Sequence, residues 1–216
     1  NTNLEIVWTI LPLLLVIGIS IYSTNVNTTL NNLGSKSKYD PNKESIQYSD
    51  KKISISDAPI DVIARQWNWE FIYPEGFSSS ELHLSINKKV NFRLISKDVI
   101  HGFYVPAFRL KQDIIPGSII YYSLTPTRTG VYRLRDSMFS GAYFSQNQTN
   151  VIVESNDSYK KWINETVKKV PVSGLNQAGI LYQKRLESGD RGWATVPPTS
   201  SPMVNDPGDY QQPHEG

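Results

Sequence analysis

Three histidines, at positions 83, 101 and 214, stand in this 216-residue sequence, and no cysteine accompanies them. Imidazoles can ligate metals or carry protons, but these three are far apart. No His-x-x-x-His, Glu-x-x-His or paired-cysteine spacing joins them. The lack of cysteine excludes a disulfide framework, a thiolate zinc site, an iron–sulfur cluster and a cysteine nucleophile together. A Gly-x-Ser-x-Gly elbow and a phosphate loop are also missing. His83 lies in an alternating strand on the face opposite Leu82 and Leu84, so it is expected to face solvent. His214 falls in a polar tail. His101, read alone, is either a hydrogen-bonded structural residue at a strand start or a ligand. Glu5 is the remaining candidate, a carboxylate at the mouth of an apolar run. Such a charge is costly in a membrane unless it stays near the interface, where the helix dipole favours it, or serves a purpose. Nothing local supports independent catalysis.

The elements that must position these residues divide the chain into five parts. Ile6 to Tyr22 carries no charge, and with Leu4 and Ser23 the apolar run reaches about 20 residues, roughly 30 Å of helix. Pro12 and Gly18 within it are tolerated in membrane helices. No basic stretch precedes it and no small-residue cleavage site follows, so a membrane anchor over 1–24 is expected rather than a signal peptide. The first residue is Asn, which points to a processed or truncated chain. A polar linker rich in Asn, Ser, Thr and Lys is expected over 25–58. From 59 to 155, short alternating runs are separated by turn signals such as Pro74-Glu75-Gly76, Asn87-Lys88 and Pro116-Gly117. The first of them reads as one strand from Ile63 to Tyr73. About seven strands at this spacing predict an antiparallel sandwich or barrel. A helical extension follows over 156–190: Tyr159, Trp162, Ile163 and Val167 share a face, Ser155 is a capping candidate and Gly189 a stop. The stretch 191–216, rich in Pro, Ser, Asp and Gln, reads as a disordered tail. A net charge of +2 is too small and too dispersed to suggest a nucleic-acid partner.

Several stretches are familiar together. Leu4-Glu5-Ile6-Val7-Trp8-Thr9-Ile10-Leu11-Pro12 resembles the start of the second transmembrane helix of subunit II of haem–copper respiratory oxidases. Gln66-Trp67-Asn68-Trp69 resembles that family's first aromatic motif. The stretches from Asp98 to Pro106 and from Leu110 to Gly117 resemble its central loops, and Gly130-Val131-Tyr132 its Gly-x-Tyr. The resemblance runs in order from Asn3 to about Trp162. The family's first transmembrane helix has no counterpart, so the chain would begin in the loop between the two.

The resemblance implies an all-β cupredoxin-like sandwich with an N-terminal transmembrane helix and short C-terminal helices. It also implies a binuclear copper centre, held by bridging thiolates, imidazoles, a thioether and a carbonyl, because soft sulfur stabilises the mixed-valence pair. Only His101 keeps a ligand there. Following the family's spacing from Tyr132, the cysteine positions hold Asp136 and Ser140, the second imidazole position Phe144 and the thioether position Asn147. A glutamate that helps hold magnesium in the family is Met138. The expectation is therefore no metal in this chain.

Ser140-Gly141 with Phe144 is similar to the copper-less subunit II of quinol oxidases, while Leu110 to Gly117 is closer to the cytochrome c branch. That mixture resembles the alternative respiratory terminal oxidase of cyanobacteria. The expectation is a subunit II without cofactors, bound to a subunit I that carries haems and copper, with subunit III beside it. The donor is a membrane quinol. Trp67, which receives electrons in cytochrome c oxidases, becomes a packing aromatic. Glu5 matches the cytoplasmic proton entrance of the K channel. The membrane is a bacterial plasma membrane, or a thylakoid membrane in a cyanobacterium, with the β-domain on the periplasmic or lumenal side. Two alternatives stay open: a membrane-anchored cupredoxin-fold binding or assembly module, and a cytochrome-c-fed subunit that lost its copper yet kept Trp67 as a relay.

Overall fold

A computed structural model describes residues 2–31, 36–39, 58–189 and 195–209. Two compact units emerge, 1–35 and 36–216. The first contains a helix, α1 (Thr2–Asn31), with Pro12 inside it and Glu5 in its first turn. Its stretch Thr2–Val26 is long and apolar enough to cross a membrane. The helix runs past 24 into the segment expected to be linker. That segment also supplies a strand, β1 (Lys36–Tyr39), so the linker expectation is corrected there. Residues 40–57 lie outside the described residues.

The second unit is a sandwich of two sheets. β2 (Ile60–Arg65), β3 (Asn68–Ile72), β4 (Ser78–Ser79), β6 (Val90–Ser96) and β9 (Ser118–Leu124) join β1 in the order β1-β9-β6-β2-β3-β4. The other sheet contains β5 (Leu82–Ser85), β7 (His101–Val105), β8 (Leu110–Ile114), β10 (Gly130–Asp136) and β11 (Gln148–Glu154), ordered β5-β11-β10-β7-β8. Two pairings are parallel, β2 with β6 and β5 with β11; the other pairings within the two sheets are antiparallel. The core between the sheets is built from buried Val62, Phe71, Leu84, Phe92, Phe103 and Leu134. β11 shows the physics plainly: Thr149, Val151 and Val153 point in while their neighbours face outward, the period of a pleated strand.

The single strand expected from Ile63 to Tyr73 is instead a hairpin. The chain reverses at Gln66-Trp67, and Arg65 pairs with Asn68. Alternation hid the reversal, because a tight turn between strands of matched register preserves the in–out pattern on both sides.

After β11 come α2 (Asn156–Thr166) and α3 (Gln177–Ser188). The Ser155 side chain accepts from the Ser158 N–H and caps α2. Gly189 ends α3 at φ 64°, the left-handed turn that glycine adopts without a Cβ clash. Tyr159, Trp162 and Ile163 pack on the sandwich, while Val167 is exposed.

The tail is a second correction. Residues 195–209 are packed: β13 (Met203–Val204) pairs with β12 (Val172–Ser173), and Val204 is fully buried. Composition suggested disorder, yet the sandwich itself supplies partners that a polar segment lacks alone. Residues 210–216, His214 among them, lie outside the described residues.

Candidate functional site

Four segments meet around the start of β7. They are the Gln66-Trp67 turn, the Lys97–Ile100 loop, His101 itself, and the loop from Ser137 to Asn147 that follows β10. Gly102 lets them approach closely. A Cβ there would run into the Ser137 side chain and come within 2.9 Å of the Ser137 backbone nitrogen.

His101 is fully buried, and both of its ring nitrogens face carboxylates. Nδ1 lies 2.7 Å from Asp136 Oδ2, and Nε2 lies 2.7 Å from Asp98 Oδ1. Burial alone would pull the imidazole pKa down. Hydrogen bonds and negative charge from Asp136 and Asp98 override it and push the value up to about 9. At neutral pH the hub therefore holds an imidazolium between two carboxylates. Burial pushes the Asp136 carboxyl up, but hydrogen bonds from His101 and from the Gly102 and Met138 N–H groups bring it below its ordinary range. Asp98 is held low in the same way, by His101 and by the Val99 and Gln66 N–H groups.

Asp136 is the acceptor at the centre. Its Oδ1 takes the Gly102 N–H at 2.7 Å and the Met138 N–H at 3.0 Å. Its Oδ2 takes His101, the Ser140 hydroxyl at 2.9 Å and the Asn147 amide at 3.1 Å. Thus His101, Asp136, Ser140 and Asn147, four positions singled out in the sequence, meet in one network. Met138 joins only through its backbone. Phe144 stays outside it, in a short 3-10 turn, with its ring 5.2 Å from that of the exposed Phe139.

The tryptophans tie this hub to the sheets. Trp69 donates from Nε1 to the Asn147 carbonyl at 3.1 Å and sets its ring edge-on to His101. Trp67 is 1% exposed and donates to the Ser140 carbonyl at 3.1 Å. Tyr143 meets its ring edge-on at 5.2 Å, and Ala178 of α3 completes the cluster.

Sequence reasoning missed Asp98 as a partner of His101, although Asp-x-x-His spacing was there to be seen. It also misplaced His83, which is 6% exposed and not solvent-facing. The His83 ring stacks on Trp162 at 3.9 Å, with Glu154 Oε1 3.2 Å from Nδ1 and Asp206 Oδ2 3.7 Å from Nε2. Burial pushes its pKa down to about 4, with the Lys169 charge helping and Asp206 opposing. Its covering groups come from α2 and the 195–209 segment, so strand alternation gave no signal of them. Glu5 is exposed in the first turn of α1, where Thr9 donates to its carbonyl.

Residues 78–156 match the family described as cytochrome c oxidase subunit II, periplasmic domain. A cytochrome c oxidase subunit 2 of Thermostichus vulcanus is 30% identical over 208 residues, covering 80% of this chain and 63% of that protein. A quinol oxidase subunit 2 of Bacillus cereus is 27% identical over 173 residues, covering 79% and 54%. The chain thus spans less than two thirds of these relatives. The crystal structure of the periplasmic domain of subunit II of cytochrome oxidase from Bradyrhizobium japonicum aligns at a TM-score of 0.48 and 22% identity, covering 56% of this chain and 96% of that one.

Proposed function

We propose that this chain is a member of the subunit II family of haem–copper respiratory oxidases without the binuclear copper centre, serving a quinol-fed terminal oxidase that reduces oxygen to water. The observation that carries this is the hub around His101. A copper pair needs two bridging thiolates, and the chain has no cysteine. The two positions concerned hold Asp136 and Ser140, which hydrogen-bond to one another, and both nitrogens of the remaining imidazole are engaged by carboxylates. Hard oxygens, an amide and a phenyl ring do not fit the centre. No electron step is routed through this domain.

In this reading α1 anchors the chain, and the sandwich caps the periplasmic or lumenal face of a subunit I that carries the haems and copper, with subunit III alongside. The donor is a membrane quinol, oxidised on subunit I. The quinol oxidase relative supports this donor in name, and the lost thiolates support it in chemistry. Trp67 packs and does not relay. Glu5 sits at the mouth of α1 as the proton entrance, where a carboxylate exchanges protons with bulk water faster than a buried site does.

The test is donor choice in the isolated oxidase that contains this chain. Oxygen consumption is expected with a quinol and not with reduced cytochrome c. Copper added to the purified chain is expected to give no mixed-valence thiolate absorption. Turnover on cytochrome c, or a mixed-valence copper spectrum from this chain, would overturn the proposal.

A further inference from the structure

Trp67 is buried twice over, and the second covering layer comes from the end of the chain. Beneath it lies the loop from Ser137 to Asn147: a Cβ at Gly141 would come within 2.7 Å of the Trp67 ring. Above it lies α3, whose Ala178 is fully buried against Trp67 and Tyr143, with half-buried Leu181 and Tyr182 around it. Arg185 places its guanidinium 5.4 Å from the centre of the Tyr143 ring.

Polar bonds pin the same layer to the same turn. Thr199 donates to the Gln66 carbonyl from both its backbone nitrogen and its hydroxyl, each at 2.7 Å. That hydroxyl accepts from the Asn68 amide at 3.0 Å. The Thr199 carbonyl accepts from Asn176, the residue that caps α3, at 2.8 Å. One threonine therefore joins the turn, the helix and the 195–209 segment. The Gly174 N–H adds a bond to the Pro202 carbonyl at 2.7 Å.

We propose that α3 and residues 195–209 are a built-in occupant of the face around the Gln66–Trp69 turn, a seal that denies a soluble electron-carrying protein access to Trp67. The proposal rests on the subunit II reading, which gives Trp67 its place as the family's electron-accepting tryptophan. A protein donor of the electron-transfer kind needs a complementary face of up to roughly 600 Å² per partner and an indole edge at its centre. Here an α-helix, about 10 Å across with its side chains, covers that edge. The seal is held by apolar burial and by a hydrogen-bond cluster together, so disrupting either loosens it.

The lack of cysteine makes the test clean. In the full chain in detergent micelles, Ala178→Cys places one thiol inside the seal and Lys184→Cys places one on the exposed side of α3. A thiol reagent is expected to modify the first at least about tenfold more slowly, as a closed contact requires. Trp67 emission, taken as the parent minus Trp67→Phe, is expected to resist acrylamide quenching. Ala178→Arg, which cannot be housed in the seal, is expected to raise that quenching several-fold; Leu181→Asn replaces it should Ala178→Arg not fold. Equal labelling rates, or free quenching of Trp67 in the parent, would overturn the seal. Slow labelling together with cytochrome c turnover that Trp67→Phe leaves unchanged keeps the seal and removes the quinol-fed reading; such turnover lost in Trp67→Phe would overturn both. Fast labelling with quinol-only turnover removes the seal and keeps that reading.

Discussion

Replacing Asp136 by Asn changes one oxygen into an NH2 group in a pocket where all five neighbours donate. The Gly102 and Met138 N–H groups meet Oδ1, while His101 Nδ1, the Ser140 hydroxyl and the Asn147 amide meet Oδ2. The backbone donors cannot turn away, so the variant must keep its oxygen toward them and aim its NH2 at His101. His101 then loses the larger of its two stabilising carboxylates and gives up the Nδ1 proton. Removing one member of a buried charge pair costs about 3–5 kcal/mol. Because the imidazole can neutralise itself here, the lower end, about 3 kcal/mol, is expected at pH 7. Denaturant unfolding of the full chain in detergent, followed by tryptophan fluorescence, measures the loss. Imidazole NMR should show His101 falling from about 9 to a value that leaves it neutral at pH 7. A loss below about 1 kcal/mol, with His101 still titrating near 9, would refute the reasoning that the hub is a charge pair held by Asp136.

Three further outcomes are expected. Stability should peak near pH 6.5 and fall on both sides. The His101 contribution, up to about 3 kcal/mol, is full below about 6.5 and is lost as pH rises through about 9. His83 is buried neutral, so its contribution is full above about 6.5 and is lost as pH falls toward about 4; urea midpoints across this range, repeated in His83→Gln, check both limbs. Gly102→Ala should lower stability by about 1–3 kcal/mol, because its Cβ meets the Ser137 backbone as well as its side chain, and thermal unfolding would read it. Glu5→Gln should slow turnover of the assembled oxidase several-fold with haem content unchanged, and a parental rate across the working pH range would reduce Glu5 to a helix-end charge.

How legible each part was depended on how local its cause is. The apolar N-terminal helix, the turns at Gly76 and Asn87, the Ser155 cap and the Gly189 stop follow from short-range rules and stand in the structure, although the helix runs on to Asn31. The hairpin at Gln66-Trp67 escaped because two in-register strands and one long strand share a period of two. Asp98 escaped because nothing local requires that a carboxylate three residues before a histidine turn back to bond it.

From the sequence alone one learns that no thiolate is available, that an apolar helix precedes a β-domain, and that the order of motifs resembles that of an oxidase subunit II. Those facts reside in residue types and spacing, which folding does not alter. Only the tertiary structure decided that Asp136, Ser140 and Asn147, three of the positions that the resemblance assigns to ligands, close with His101 into one network, with Asp136 receiving five donors. Only it showed that His83 is covered and that residues 195–209 hold α3 over Trp67. Each of these depends on groups far apart in the chain, and their burial and charge state are set by the neighbours that the fold supplies.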